Sequence, residues 1–164
     1  MRCFVAVLPP PEVSDVLARL DRPATPGVRW THPDQWHVTL RFLGEVDPSA
    51  AAAALAGLNA EAVAAAMGPA TIVLGGNTVV IPISGLDGLA ASMVARTALV
   101  GEPPEDRPFV GHLTLARLGV PAPSGLVGIP LAAEFPVDEV YLVASHLLPD
   151  GAAYEVLERF ALTG

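Results

Sequence analysis

The chain has 164 residues, 52% of them hydrophobic, with a net charge of −8 and nine basic residues, every one an arginine. One domain's length is enough for a proper core, and no apolar run is long enough to span a bilayer. The acidic balance excludes a protein that coats long RNA through a broad basic surface, and a single cysteine excludes a disulfide framework or a cysteine metal cluster.

Residues 2 to 8 read as a strand that holds Cys3 as a buried structural thiol. This apolar run stops at Pro9-Pro10-Pro11, too short for a signal peptide, so the expected setting is cytoplasmic and the expected state a monomer. Pro11 opens a helix, with Val13, Val16, Leu17 and Leu20 at helical spacing. A proline-rich loop from Arg22 to Gly27 leads through Val28 to Thr31 into a strand over 36 to 43. Asp47-Pro48 supplies an N-cap and first-turn pair. The alanine-rich helix that follows is expected to run to about Met67, because alanine is the best helix former.

Ile72 to Leu74 and Thr78 to Ile83 form a hairpin across Gly75-Gly76-Asn77. Pro82 cannot donate a ladder bond, which places the second of these strands at a sheet edge. Leu86, Leu89, Ala90, Met93, Val94 and Thr97 mark a third helix, ending near Gly101. After a polar loop from Glu102 to Pro108 comes a strand over about 111 to 118, then a loop from Pro121 to Pro130. Val137 to Ser145 and Ala153 to Leu162 close the chain around a turn at Pro149-Asp150-Gly151. Short, hairpin-like connections make this an α+β chain of mostly antiparallel sheet, folded as one domain over 1–164.

Two of these strands carry the same pattern. His37-Val38-Thr39-Leu40 and His112-Leu113-Thr114-Leu115 are both His-x-Thr-x, 75 positions apart. Alternation along a strand puts residues i and i+2 on one face. His37 projects with Thr39, and His112 with Thr114, while Val38, Leu40, Leu113 and Leu115 turn to a core. Histidine titrates near neutrality, so one imidazole can be neutral while its partner is protonated. Two imidazoles and two hydroxyls on rigid strands suit in-line displacement at a phosphate, one His protonating the leaving oxygen and the other deprotonating water. Neither a His-x-x-x-His spacing nor a nearby carboxylate cluster supplies further metal ligands, so neither metal nor cofactor is expected.

The flanks name a family. The run from Trp30 through His37-Val38-Thr39-Leu40 to Arg41-Phe42-Leu43-Gly44-Glu45 resembles the first motif region of the 2H phosphoesterases. The branch it resembles is the RNA 2′,3′-cyclic phosphodiesterases, historically called 2′-5′ RNA ligases. Arg107-Pro108-Phe109 leading into His112-Leu113-Thr114-Leu115-Ala116-Arg117 is similar to that branch's second motif. The opening Met1 to Val7 and the late Tyr154-Glu155-Val156-Leu157 also match its ends. The resemblance covers nearly the whole chain. It implies two pseudo-symmetric lobes whose sheets line a central cleft, with helices outside.

The same resemblance assigns proton donation to His37 and the base role to His112, which their spacing does not distinguish. It implies that Thr39 and Thr114 donate hydrogen bonds to phosphate oxygens; ordinary β-branched strand propensity also accounts for both. Arg41 shares the face of His37 and Thr39 if the strand stays regular, and would help hold the phosphate. Strict alternation sends Arg117 to the opposite face, whereas the resemblance makes it a phosphate contact, which requires a bulge after Thr114. Phe42 falls on the core-facing side, where packing outweighs stacking on a base. Trp30 and Trp36 flank the loop before the first motif. One departure stands out: Ile81 occupies a strand position where relatives carry Trp, which bears on base preference.

Implied as partner is an RNA 3′ end bearing a 2′,3′-cyclic phosphate, or alternatively a small cyclic nucleotide or ADP-ribose cyclic phosphate, with no membrane. End joining through a 2′-5′ bond uses the same site. A non-catalytic RNA-end binding module is the alternative of a different class, and phosphate binding alone would not need His in both motifs.

Overall fold

The computed structural model describes residues 1–164. Its strands are β1 (Arg2–Val7), β2 (Val28–Trp30), β3 (Val38–Glu45), β4 (Val63–Met67), β5 (Ile72–Leu74), β6 (Thr78–Ser84), β7 (His112–Leu118), β8 (Ala133–Val137), β9 (Glu139–Leu148) and β10 (Gly151–Ala161). Three helices join them: α1 (Pro11–Ala18), α2 (Pro48–Leu55) and α3 (Asp87–Arg96). The strands form two antiparallel sheets. One has four strands in the order β10-β9-β1-β3; the other has the order β2-β7-β6-β4-β8, with β5 also paired to β6. This is the α+β, mostly antiparallel architecture that the connections imply.

Each sheet contains one motif strand, β3 in the first and β7 in the second, and these two strands approach each other. The alternate motif residues go inside as the pattern requires: Val38, Leu40, Leu113 and Leu115 all join the main core. Helix α3 packs against β3, so the core is continuous from one sheet to the other. Cys3 is fully buried within it, and burial pushes its thiol pKa up. No helix is long and apolar enough to cross a membrane.

Three expectations need correction. The alanine-rich helix ends at Leu55, and residues Val63–Met67 form β4 between β8 and β6. Gly57, at φ +73°, takes the left-handed conformation that ends helices. Beyond it, pairing on both sides outweighs alanine's local preference. Pro82, in turn, lies in an interior strand rather than at an edge. Its carbonyl accepts from Gly68 N at 2.9 Å, so its missing N–H faces the same flank, in the gap between the β5 and β4 ladders. Finally, β8 precedes β9 as a separate edge strand, whose Pro136 hid it from a propensity reading.

Candidate active site

Both motif histidines are held by the same device. His37 donates from Nδ1 to the carbonyl of Gln35 at 2.8 Å, and His112 donates from Nδ1 to the carbonyl of Val110 at 2.7 Å. A carbonyl only accepts, so each Nδ1 carries a proton and each Nε2 is the atom left for chemistry. In His37 that atom stands 3.0 Å from the Thr39 hydroxyl.

The anchors are themselves fixed. The Gln35 side chain donates to Ala152 O at 2.7 Å and accepts from His32 N at 2.9 Å, tying the loop before β3 to β10. Thr31 donates from its hydroxyl to Thr114 O and Leu115 O, at 2.9 and 3.0 Å, and accepts from Trp36 Nε1 at 3.1 Å. The approach to the first motif is thereby fastened onto the strand of the second. Gly111, beside His112, is required by close approach, because a Cβ there would lie 2.3 Å from Ile83 O.

The ring of His37 sits in an aromatic box. Phe4 is 4.7 Å away and tilted, and Tyr154 meets it edge-on at 5.0 Å. Burial lowers the pKa of His37 below its ordinary 6.5; the Gln35 carbonyl opposes that shift, while the charges of His112 and Arg117 reinforce it. In the free protein the electrostatics therefore favour a neutral His37. A phosphate anion between these groups would act in the opposite direction.

One cavity of about 60 Å³ is walled by His37 and Thr114 together, with Thr31, Arg29, Arg117 and Tyr154 among its other sides. His112 is outside the lining of this cavity, but its charge acts on His37. Thr39 reaches the site through its contact with His37 Nε2. No three His, Cys, Asp or Glu side chains group so as to hold a metal ion.

The three remaining candidate residues are sorted by one structural event that occurs twice. In β3 the register passes from Ala6↔Thr39 to Val5↔Arg41, leaving Leu40 as an extra residue. In β7 it passes from Val80↔Thr114 to Val79↔Ala116, leaving Leu115 extra. Both motifs thus bulge at their fourth position, and the next two residues, Arg41-Phe42 in β3 and Ala116-Arg117 in β7, change face; in β3 a second shift at Leu43 then reverses the change.

Arg41 is consequently turned away from His37 and Thr39, which corrects the expectation of a regular strand. It is 4% exposed, and its guanidinium donates to the Thr97 hydroxyl and to the carbonyls of Phe42, Thr97, Val100 and Glu102. All of its donors are engaged inside. Phe42 takes the opposite turn. Rather than facing the main core, it packs on the smaller cluster that includes Phe4 and Tyr154, the two rings that touch His37, with the Arg2 guanidinium 4.8 Å over its ring. Arg117 is exposed and lines the cavity of His37 and Thr114, the bulge having brought it onto their face.

Sequence reasoning missed Phe4, Gln35, Thr31 and Arg29 as members of this site. Thr31 and Gln35 lie inside the first motif region, but their roles depend on partners more than eighty and one hundred residues away. Phe4 and Arg29 gave no signal beyond strand composition.

With this geometry in view, the chain can be set beside proteins already known. A family model described as LigT like Phosphoesterase matches residues 7–76. The RNA 2′,3′-cyclic phosphodiesterase of Thermus thermophilus is 36% identical over 182 residues, spanning 100% of this chain and 91% of that protein. Among solved structures, TT0787 of Thermus thermophilus matches with a TM-score of 0.85 at 34% identity, covering 100% of this chain and 99% of that one. E. coli LigT complexed with 3′-AMP matches with a TM-score of 0.80 at 27% identity, covering 99% and 98%. Similar along its whole length in sequence and in fold, with one His-x-Thr-x strand in each sheet, the chain belongs to the LigT-like phosphoesterases of the 2H superfamily.

Proposed function

We propose that this protein hydrolyses the terminal 2′,3′-cyclic phosphate of RNA to a 2′-phosphomonoester, using His37 and His112 as the two proton carriers. The observation that carries the reading is the matched anchoring of both imidazoles, each committed through Nδ1–H to a carbonyl two residues earlier, with Nε2 left for chemistry, that of His37 beside the Thr39 hydroxyl. The name of the Thermus relative supports the substrate class, as does the 3′-AMP bound to E. coli LigT.

In this mechanism His112 Nε2 takes a proton from water as that water attacks phosphorus. The bond from phosphorus to O3′ breaks, and His37 Nε2–H delivers its proton to the departing oxygen. Thr39, Thr114 and Arg117 hold the phosphate oxygens, whose charge grows in the transition state. Substrate charge also readies His37, because the phosphodiester anion offsets the burial and repulsion that favour its neutral form. Gripping a single end phosphate is compatible with a chain of net charge −8, which would repel long RNA elsewhere on its surface.

The test is incubation of a short RNA ending in a 2′,3′-cyclic phosphate with the protein and excess chelator. The expected product is a 2′-phosphate end, read by phosphorus NMR, formed at an undiminished rate. His37→Ala and His112→Ala should each lose about 10²- to 10⁴-fold in turnover. A metal requirement, a 3′-phosphate product or a fully active His variant would refute the corresponding part of the mechanism.

A further inference from the structure

Arg29 and Arg117 are direct cross-strand partners in the pairing of β2 with β7. Like charges placed opposite one another on a sheet repel and lower stability, so such a pair calls for a compensating anion. None is supplied by the protein. Neither guanidinium forms an ion pair, although Asp150 stands on the same cavity wall. The chain has only nine basic residues against seventeen acidic ones, which makes two unpaired arginines side by side the more unusual.

Their placement is graded. Arg117 lies on β7, the strand of Thr114, and Arg29 on β2, the edge strand of that sheet. Both residues line the cavity of His37 and Thr114, and both also line an open groove between Gly27-Val28 and Leu118-Gly119. Arg29 lies against the turn at Gly151, where an added Cβ would be 3.9 Å from its Nη2. Arg117 is thus the inner member of the pair and Arg29 the outer one.

We propose that Arg29, paired with Arg117, binds a second phosphate, the one attached to the 5′ oxygen of the terminal nucleoside. This rests on the reading of the cavity as the site of a cyclic phosphodiesterase. Arg117 bridges the reacting phosphate and the second one, and Arg29 contacts the second alone. The protein thereby prefers a terminal nucleotide that carries a 5′ phosphate over a bare cyclic nucleoside phosphate. An RNA chain supplies that group as a diester; a free nucleotide supplies it as a monoester.

The test is equilibrium binding, which does not depend on turnover. Adenosine 2′-monophosphate, adenosine 2′,5′-bisphosphate and the dinucleotide ApA with a terminal 2′-phosphate are titrated into the wild type, Arg29→Ala, Arg29→Gln and Arg19→Ala. In the wild type and in Arg19→Ala the extra phosphate should tighten binding about tenfold to a hundredfold, the range of a charge-assisted hydrogen bond. In both Arg29 variants that ratio should fall toward one. Gains with both longer ligands would assign the RNA chain as the source, and a gain with the bisphosphate alone would assign a nucleotide. No gain in the wild type, or a gain that survives in both Arg29 variants, overturns the proposal. Turnover of a short RNA ending in a 2′,3′-cyclic phosphate, measured separately, reports on the phosphodiesterase reading itself, so either can fail without the other.

Discussion

His37 is the residue whose environment makes the sharpest claim about chemistry. Burial in the box of Phe4 and Tyr154, with like charge from His112 and Arg117, holds its pKa below 6.5. A group with a lowered pKa is protonated only at lower pH, so as an acid it would begin to fail below the usual histidine range. A bound anion raises that pKa again. The kcat/KM profile reports the free enzyme and kcat the complex. Both should be bell-shaped, with the falling limb of kcat at higher pH than that of kcat/KM, and the limbs belong to the coupled pair rather than to either imidazole. A kcat limb at the same or lower pH would remove substrate-assisted protonation from the mechanism.

Arg41 illustrates the opposite outcome for a charged residue beside the motif. Its guanidinium satisfies the Thr97 hydroxyl and four carbonyls, binding β3 to the segment that follows α3. Each buried acceptor left without a donor costs about 1–3 kcal/mol, partly relieved by relaxation. Arg41→Met should therefore lower stability by about 2–4 kcal/mol, and the Tm by about 2–4 °C for each of these. Urea or thermal unfolding reads this directly. Wild-type stability combined with loss of phosphate binding would restore the residue to the cleft.

At the scale of elements, the site depends on two bulges and on one tight strand contact. Each of these bulges falls at the fourth motif position, and the face change it causes sends Arg117 to the cavity and Phe42 to the small aromatic cluster while taking Arg41 and Ala116 inside. Just before β7, the Gly111 carbonyl accepts from Ile83 N of β6 at 2.9 Å. In Gly111→Ala the new Cβ would meet Ile83 O at 2.3 Å, and neither backbone can yield without moving His112. Displacement of a catalytic group by about 1 Å can cost 10²-fold. We expect kcat to fall roughly 10- to 10²-fold in the folded variant, together with a lower Tm. Unchanged kcat would mean that the β6–β7 contact does not set the position of His112.

Across the whole molecule, two sheets each bring one histidine, and their facing must survive thermal motion. Thr31 supplies one tie, linking the first motif's approach to the carbonyls of Thr114 and Leu115, and the Gln35–Ala152 bond supplies another. The pairing of β2 with β7 adds a third and places Arg29 opposite Arg117. Residues from the start, middle and end of the chain therefore converge on one cleft.

Much of this was legible in the sequence because it is local. The two His-x-Thr-x repeats, the inward turn of Val38, Leu40, Leu113 and Leu115, and the antiparallel α+β class all follow from alternation and short connections. So did membership of the family, carried by runs of contiguous residues. What tertiary structure decided is everything that depends on a partner strand. A bulge is a property of two strands in register, so alternation within one strand misplaced Arg41 and Phe42, while only the resemblance anticipated the turn of Arg117. Alanine's helical preference is intrinsic and weak, and pairing with β6 and β8 converted residues 63–67 to strand. Pro82 could sit inside a sheet because its missing donor met a gap between two ladders. Above all, the juxtaposition of Arg29 with Arg117, eighty-eight residues apart in sequence, exists only where β2 lies beside β7.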